Sequence, residues 1–308
     1  MTNLVTGGAG FIGSHVADAL SDTGHEVTIF DIKRSRYIQE DQHFVPGDIL
    51  NRDQVATSVE GQDIVYNFAG IPHLDVGLKQ PIETVEQNIL GTVITLEASR
   101  HAAIKRYVYA SSVYVYGEGG SFYRCSKQAA ELYVEEYQRL HSLDYTILRY
   151  GTVYGPRADN HNSVRRYLVQ ALRERRIVTY GTGNEIREYV HVKDAARSSV
   201  QILSDEFRNE HVVLTGQHPM QFNDLLAMVR EIVGNDVEID HHPLDMNDPK
   251  KIPSGHYYFT PYSFRPKVAK KLINNPYLDM GQGLLECLEE IYEDEVAAKE
   301  ERGVIRSR

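Results

Sequence analysis

The sequence predicts an α/β protein in which a doubly wound parallel sheet is followed by a smaller, mixed α/β C-terminal domain. Short β-branched or aromatic runs alternate with helical patterns through the first half of the chain, which is typical of a parallel sheet covered by helices on both faces. Glycine and proline cluster at 153–160, and the alternation weakens after them. We therefore expect a sheet domain over 1–155 and a second domain over 156–308.

The strand and helix patterns of the first half follow one another in a regular order. Each of four strand-like runs precedes a helical pattern, and a fifth run closes the series: NLVTG then 11–23, EVTIFD then 51–59, DIVYNFAG then 81–101, RYVYASS then 123–141, and YTILRYG. A later run, HVVLTG, is also strand-like, so we expect a segment at about 188–217 to return to the first sheet. Apolar residues at helical spacing give way to charges over 283–303, which indicates a surface helix.

Composition argues against several classes of function. The chain has 308 residues and a net charge of −10, which disfavours a general binder of nucleic acid or anionic membranes but allows a local basic pocket for a phosphorylated ligand. Cys125 and Cys287 are too few for a disulfide framework. His241 and His242 are adjacent and do not point at one ion, so we predict no metal site. Without a secretory pattern or a bilayer-length apolar run, we expect a cytoplasmic protein with a small-molecule partner.

A glycine-rich stretch, TGGAGFIG, directly follows the first strand-like run. Gly8, Gly10 and Gly13 have the spacing of a dinucleotide-binding turn, and Gly7 adds a further flexible position. Glycines let the backbone come close to a diphosphate, whose charge then lies at the positive N-terminus of helix 11–23. The sequence therefore predicts a Rossmann-like domain that binds a dinucleotide.

Acidic residues after the second and third strands indicate which dinucleotide this is. The second strand ends in Asp31, 18 residues after Gly13, where a carboxylate accepts ribose hydroxyls and repels a 2′-phosphate. NAD is therefore favoured over NADP. Lys33 and Arg34 either soften that preference or are solvated loop charges. Asp48 either contacts the adenine or caps the next helix.

The stretch SFYRCSK places Tyr123 four residues before Lys127, so the two side chains share one face of helix 123–141. A free tyrosine has a pKa of about 10 and is a poor base at neutral pH, whereas a nearby ammonium favours its phenolate. The preceding strand ends in Ser111 and Ser112, and a hydroxyl there could hydrogen-bond a substrate alcohol or ketone. Because the pair follows a dinucleotide-binding turn and a strand that ends in serines, we predict that Tyr123 is an acid/base.

Several motifs together make the chain similar to a known family: TGGAGFIG, NILGT, YASS with VYG, YRCSK, LRYGTVYGPR and REYVHVKDAA. On these motifs the chain resembles the extended short-chain dehydrogenase/reductases, in particular the NAD-dependent nucleotide-sugar epimerase/dehydratase family. The resemblance implies that Ser112, Tyr123 and Lys127 are the catalytic residues. It also implies that Arg187 binds the diphosphate of a nucleotide sugar, although an ion pair between domains is an equal alternative for this residue.

The resemblance further implies the wider ligand site and the assembly. The residues expected to bind NAD are Gly7, Gly10, Phe11, Ile12, Gly13, Asp31, Asp48, Ile49, Phe68, Ala69, Asn88, Tyr123, Lys127 and Tyr150. The residues expected to bind the nucleotide sugar, with a UDP-sugar favoured, are Ser112, Tyr123, Thr152 and Arg187. In relatives, the helices that correspond to 81–101 and 123–141 pair into a four-helix interface, so we expect a homodimer.

A departure from the family pattern at two positions narrows the expected reaction. Dehydratases of the family carry Asp and Glu after the catalytic hydroxyl, and the decarboxylases tend to carry an acid there, but this chain has Val113 and Tyr114. The remaining chemistry is epimerisation at C4 through a 4-keto sugar. The alternatives are net reduction or oxidation of a related keto sugar and, less favoured, a cofactor-sensing regulator without activity.

Three other departures concern substrate contacts. The loop before the tyrosine, 118–122, is shorter than is usual in the family, so we expect a more open pocket on that side. Gly151 and Thr152 stand where many relatives have Phe and Asn. The stretch 260–272 replaces an aspartate-serine-lysine stretch, so substrate contacts cannot be transferred to it.

Overall fold

Most of the strands form one large parallel sheet. The computed structural model describes residues 1–117, 120–243 and 269–301, the side chains of the last two residues excepted. Its strands are β1 (Thr2–Thr6), β2 (Glu26–Asp31), β3 (Gln42–Pro46), β4 (Ile64–Asn67), β5 (Arg106–Ser112), β6 (Tyr145–Tyr150), β7 (Thr152–Tyr154), β8 (Arg176–Tyr180), β9 (Ile186–His191), β10 (Glu210–Leu214), β11 (Pro219–Gln221), β12 (Glu238–His242) and β13 (Lys270–Lys271). Eight of them are paired in the order β13-β10-β6-β5-β4-β1-β2-β3.

The helices follow the strands in alternation, as the sequence predicts. They are α1 (Phe11–Asp22), α2 (Arg52–Val59), α3 (Leu74–Lys79), α4 (Pro81–Val85), α5 (Gly91–His101), α6 (Ser121–His141), α7 (Ser163–Glu174), α8 (Val192–Gln201), α9 (Phe222–Val233) and α10 (Met280–Glu301). A π-helical segment, Glu86–Leu90, joins α4 to α5, and a 3₁₀ turn, Val113–Tyr116, follows β5. Within the described parts of the chain, no helix has the length and apolar character needed to cross a membrane.

Both faces of the large sheet are buried, because successive residues of a strand point to opposite sides. Val5 and Tyr66 belong to a core that also contains residues of α1 and α8. Leu4 and Val65, their neighbours along the same strands, belong to a second core with residues of α2, α5 and α6. The near-continuous apolar character of these short strands follows from this double coverage, which confirms the predicted doubly wound fold.

The order of the strands places the ligand site. The chain moves outward from β1 through β2 to β3, and then returns past β1 to β4, β5 and β6. In sheets of this kind, ligands bind at the carboxyl ends of the strands, where the direction of winding reverses. The reversal lies between β1 and β4, so the loops after these two strands border the expected cofactor crevice.

The remaining strands form the smaller mixed part of the fold. A three-stranded sheet has the order β11-β9-β7, with β11 antiparallel to β9, and a two-stranded sheet pairs β12 with β8. A third core packs residues of α7, α9 and α10 together. The run HVVLTG contributes β10, which pairs in parallel with β6. The domain division at 155 and 156 stays a prediction.

The helical pattern over 81–101 is less regular in the structure than the sequence indicates. Instead of one helix, the chain forms α4, the π-helical segment and α5. Asn88 in the π-helical segment uses its amide to bind the backbone of Ile71, which fixes the irregular turn. Short π-helical segments often occur at functional sites.

Candidate active site

The glycine turn after β1 packs tightly against the protein's own backbone. Gly7 has a φ of +69°, and a Cβ there would lie 2.6 Å from the backbone N of Ala69. A Cβ on Gly13 would collide with the carbonyl oxygen of Gly7. Gly10 is the N-cap of α1 and offers no side-chain cap, so first-turn N–H groups remain available to an anion. The chemistry of this turn fits the diphosphate of a dinucleotide.

Asp31 lies at the end of β2, beside this turn. Its Oδ2 accepts a hydrogen bond from the backbone N of Ala9 at 3.0 Å, so the carboxylate is fixed next to the glycines. Such a carboxylate is well placed for ribose hydroxyls and unfavourable for a 2′-phosphate. The preference for NAD over NADP stays a prediction.

The loop after β3 carries two of the predicted cofactor residues. Asp48 is exposed, and its Oδ1 accepts a hydrogen bond from the backbone N of Leu50 at 2.9 Å. The N-cap of α2 is Asn51, so Asp48 is not the capping residue. Ile49 is 4% exposed, so its side chain is buried.

Three further predicted cofactor residues lie at the carboxyl ends of β4 and β6. Phe68 extends β4 by donating its N–H to the carbonyl of Thr6, and Ala69 follows against the glycine turn. The rings of Phe68 and Tyr150 have centroids 6.0 Å apart. The Tyr150 hydroxyl is within 2.6 Å of Ser199 Oγ, so this ring is anchored inside the protein.

Asn88 connects the cofactor crevice to α6, the helix that carries Tyr123 and Lys127, the predicted catalytic dyad. Its Oδ1 accepts from the backbone N of Ile71 at 2.7 Å, and its Nδ2 donates to Ser126 Oγ at 2.9 Å. Ser126 immediately precedes Lys127. These bonds agree with a scaffold role for Asn88, because they hold the chain after β4 against α6.

The predicted dyad and its serine come together in the structure. Tyr123 and Lys127 are buried on one face of α6, and Ser112, the last residue of β5, lies close enough to the Tyr123 phenol to lower its pKa. Lys127 Nζ donates to the carbonyl of Ala110 at 2.7 Å and lies 5.8 Å from the centre of the Tyr123 ring. The three predicted catalytic side chains therefore form one cluster at the carboxyl edge of the sheet.

Burial is the dominant electrostatic effect on this cluster. It raises the pKa of Tyr123, and the nearby Ser112 hydroxyl opposes that rise. It lowers the pKa of Lys127 to about 8, and the nearby Glu131 carboxylate opposes that fall. Without ligands, a neutral phenol and a mostly protonated lysine are therefore the stable forms at neutral pH.

Two predicted substrate residues lie in the smaller mixed part of the fold. Arg187 is on β9, and its guanidinium lies 5.4 Å from the centre of the Phe222 ring. Within the described residues, Arg187 Nε is buried and has no hydrogen-bond partner. Thr152 begins β7, which pairs with β9 through Tyr189. The same three-stranded sheet therefore carries both residues.

Two expectations about loops fall outside the described residues. Residues 118 and 119, in the short loop before the tyrosine, are among them, so a more open pocket on that side stays a prediction. Residues 260–268, which make up most of the divergent stretch 260–272, also lie outside.

The structure adds one arginine that the sequence reasoning did not select. Arg157 lies in the loop before α7 and pairs with Asp18 of α1 at 2.7 Å. Its guanidinium lies 4.7 Å from the centre of the Tyr37 ring. It borders a cavity of about 230 Å³ together with Ala9, Gly10, Phe11, Tyr37 and Asp159. The motif LRYGTVYGPR contains this arginine, but nothing in the local pattern shows that the chain folds back onto the glycine turn.

Three possible metal ligands lie near this cavity. His73, Asp159 and His161 are the one such group in the described residues, with ligand atoms within 4.8 Å of one another. The two imidazole rings are stacked, with centroids 4.2 Å apart and planes 22° from parallel. Imidazole lone pairs lie in the ring plane, so rings arranged in this way do not aim at one ion. The arrangement does not favour a metal, and the predicted lack of one stays a prediction.

Known proteins are similar in sequence to this chain over most of its length. It is 31% identical over 252 residues to a Methanocaldococcus jannaschii protein provisionally named UDP-glucose 4-epimerase, covering 75% of this chain and 82% of that protein. It is 28% identical over 269 residues to a UDP-N-acetyl-alpha-D-glucosaminuronate decarboxylase of Bacillus cytotoxicus, covering 79% and 83%.

A solved structure shows the same fold with ligands. The UDP-glucuronic acid 4-epimerase of Bacillus cereus, in complex with UDP-glucuronic acid and NAD, superimposes with a TM-score of 0.80 and 25% identity, over 95% of this chain and 99% of that one. Residues 3–215 match the model of the NAD dependent epimerase/dehydratase family. Because that match spans the glycine turn, the dyad and Arg187, the chain belongs to the NAD-dependent epimerase/dehydratase family, as its sequence predicted.

Proposed function

We propose that this protein epimerises a nucleotide sugar at C4 through a transient 4-keto sugar. The observation that carries the proposal is the buried cluster of Ser112, at the end of β5, with Tyr123 and Lys127, one helical turn apart on α6, at the carboxyl edge of the sheet. When bound, NAD supplies the acceptor and donor of a hydride. The side chains described above have the chemistry to bind the sugar and to move its hydroxyl proton.

In this proposal Tyr123 accepts the proton of the C4 hydroxyl and later returns it. Ser112 hydrogen-bonds to the same oxygen and holds it near the phenol. Since burial raises the pKa of Tyr123, the phenolate needs nearby positive charge, which the Lys127 ammonium provides. Lys127 is charged below its own pKa of about 8, so its support is present at neutral pH and is lost as the pH rises above 8.

Epimerisation is favoured over elimination because no carboxylate follows Ser112. The 3₁₀ turn after β5 begins with Val113, which is buried, and Tyr114, whose ring meets the Tyr123 ring edge to face at 6.3 Å. Neither side chain supplies the carboxylate that the dehydratases of the family carry at these positions. The relatives include a protein provisionally named as an epimerase and a decarboxylase, and the residues of this turn support the first of these activities.

The substrate we propose is a UDP-sugar. Arg187 has a buried Nε that finds no hydrogen-bond partner among the described residues, and the guanidinium lies over the Phe222 ring. A buried donor without an acceptor is unfavourable, and a diphosphate oxygen would satisfy it. The choice of uridine rests on relatives whose names include a UDP-sugar.

The assembly we propose is a homodimer. Several large apolar side chains on α4, the π-helical segment and α6 are exposed: Ile82 at 70%, Val85 at 52%, Leu90 at 42%, Leu132 at 66% and Leu140 at 57%. A second copy packed through these helices would cover them. A cytoplasmic location stays a prediction from the sequence.

The proposed activity is tested by incubating the purified protein and NAD with UDP-glucose, UDP-glucuronic acid and their N-acetylated counterparts, followed by proton NMR of the sugar. We expect the C4 epimer to form without accumulation of free NADH. Accumulation of NADH would favour a dehydrogenase instead. Tyr123→Phe should bind NAD normally and lose about 10²–10⁴-fold of the turnover, since this is the usual contribution of a general acid/base. A variant with nearly full activity would contradict the role of the dyad.

A further inference from the structure

A buried ion pair lies one helical turn beyond the dyad. Glu131 follows Lys127 by four residues, so it lies on the same face of α6. Arg149 Nε donates to Glu131 Oε1 at 3.0 Å, and Nη2 donates to Oε2 at 2.6 Å. Glu131 is 4% exposed and Arg149 is fully buried. Both charges are thus out of solvent and joined by a bidentate bond.

The pair also contacts the chain on both sides of Ser112. Ser111, its neighbour on β5, donates its hydroxyl to Glu131 Oε1 at 2.5 Å. Tyr116, which ends the 3₁₀ turn that begins after Ser112, accepts a hydrogen bond from Arg149 Nη1 at 2.6 Å. The ion pair therefore connects the helix of the dyad to the segment that presents the catalytic hydroxyl.

The charged and titratable groups around Lys127 are few in the described part of the chain. Tyr123 and Glu131 lie on its own helix, and the Tyr109 ring of β5 lies 4.9 Å from Nζ. The Glu131 carboxylate, one helical turn from Lys127 on the same face of α6, opposes the lowering of the Lys127 pKa by burial. From β10, His211 approaches Glu131 at 4.0 Å.

His211 is tied mainly to a second carboxylate. Its Nε2 lies 3.0 Å from Glu135 Oε1, on the next turn of α6. Arg149, Tyr116 and Tyr109 are further titratable groups near Glu131 in the described part of the chain. These groups must be distinguished from Lys127 in any measurement of pH dependence.

We propose that Glu131 is a positioning residue of the reaction, which keeps Lys127 charged in its buried site and fixes the Ser112 segment against α6 through Ser111 and Arg149. This inference rests on the proposed function, because it takes Tyr123 and Lys127 as the acid/base dyad. A buried ion pair is weak evidence for stability alone, since well-packed apolar residues often replace one without loss. A role in keeping Lys127 charged would account for the buried pair where stability does not.

The test compares two variants that break the same pair from opposite sides. Glu131→Gln removes the negative charge and leaves Arg149, whereas Arg149→Met removes the positive charge and leaves Glu131. The titration of Lys127 is followed by ¹⁵N NMR of lysine Nζ, with the signal assigned by its loss in Lys127→Met. Because Nζ itself is observed, protonation of His211 or Glu135 is not mistaken for it.

We expect the titration midpoint of Lys127 to fall by about one pH unit in Glu131→Gln, because an opposite charge on the next turn of the same helix face is lost, and not to fall in Arg149→Met. If the pair were merely structural, the titration midpoint of Lys127 would change equally in Glu131→Gln and Arg149→Met, or would not change in Glu131→Gln. Either outcome overturns the proposal. If Glu131→Gln does not fold alone, the double variant is compared with Arg149→Met, because that comparison again changes only the carboxylate.

The pH dependence of the turnover of a UDP-sugar is a second measurement of the same effect. The basic limb of the pH profile should move to lower pH in Glu131→Gln in step with the Nζ titration. If the parent protein converts no nucleotide sugar, the proposed function fails, while the NMR comparison still decides whether Glu131 controls the charge of Lys127.

Discussion

At the scale of single residues, Tyr123 shows how burial and charge compete. Its phenol is buried beside Ser112, and burial alone disfavours the phenolate that the reaction needs. Lys127 is buried beside it, and the same desolvation weakens its ammonium. Two groups that each prefer to be neutral can support catalysis only if other charges counter the burial. In the part of the chain that the structure describes, the Glu131 carboxylate opposes the effect of burial on the lysine.

Asp31 should determine the choice between the two dinucleotides. The carboxylate is fixed beside the glycine turn by the N–H of Ala9, so a 2′-phosphate would meet an immobile negative charge. We expect tighter binding of NAD than of NADP in calorimetric titrations, and a smaller ratio of affinities in Asp31→Ala. Asp48→Ala is the control, because a residue that contacts only the shared adenine would leave the ratio unchanged. Equal affinities in the parent protein would contradict this role for Asp31.

At the scale of elements, the sequence predicts strands and helices well where one periodic pattern decides them. The π-helical segment between α4 and α5 could not be predicted, because it depends on contacts between distant residues. Asn88 bonds to the backbone of Ile71 and to Ser126 of α6, and no spacing within 81–101 reveals either partner. The start of α6 differs for a similar reason. It begins at Ser121, after Gly120 with a φ of +95°.

Gly13 should be intolerant of a side chain although it lies inside a helix. Alanine usually stabilises a helix relative to glycine, but a Cβ here would collide with the carbonyl of Gly7. We expect Gly13→Ala to lower the free energy of unfolding by about 1–3 kcal/mol, as overpacking does, and to abolish measurable NAD binding. Gly77→Ala in α3 is the control, because its Cβ would meet its nearest neighbour at an ordinary 3.4 Å. Equal behaviour of the two variants in denaturation would refute the collision.

At the scale of the whole molecule, the acids of α10 contact residues that are distant in sequence. Apolar residues at helical spacing that give way to charges predict a surface helix over 283–303. In the structure, acidic side chains of this helix form hydrogen bonds with distant parts of the chain. Glu290 accepts hydrogen bonds from the backbone N of Arg157 at 2.8 and 2.9 Å, from Arg165 at 2.9 Å and from the Tyr37 hydroxyl at 3.1 Å. The last helix thus helps to hold the loop of Arg157 over the glycine turn. Periodicity finds the apolar face of a helix but cannot show which charges have distant partners.

Subunit association should depend on the apolar surface of α4 and α6. Ile82 is 70% exposed and Leu132 is 66% exposed, which is unfavourable unless a second copy covers them. We expect a dimer in light scattering at micromolar concentration, and a monomer for the double variant Ile82→Glu and Leu132→Glu. Tyr292→Glu on α10 is the matched control, because this residue is 64% exposed outside the proposed interface. A monomeric parent protein would contradict the dimer and leave the catalytic assignment intact.

The most direct measurement of the central claim follows the hydrogen on C4. If Tyr123 moves only the hydroxyl proton, and the carbon-bound hydrogen leaves and returns as a hydride, that hydrogen never exchanges with solvent. Incubation with a UDP-sugar in deuterium oxide, followed by NMR and mass spectrometry, should therefore give the C4 epimer without deuterium on C4. Deuterium on C4 of the product would show that a carbon-bound proton was abstracted instead, and would contradict the mechanism proposed for Ser112, Tyr123 and Lys127.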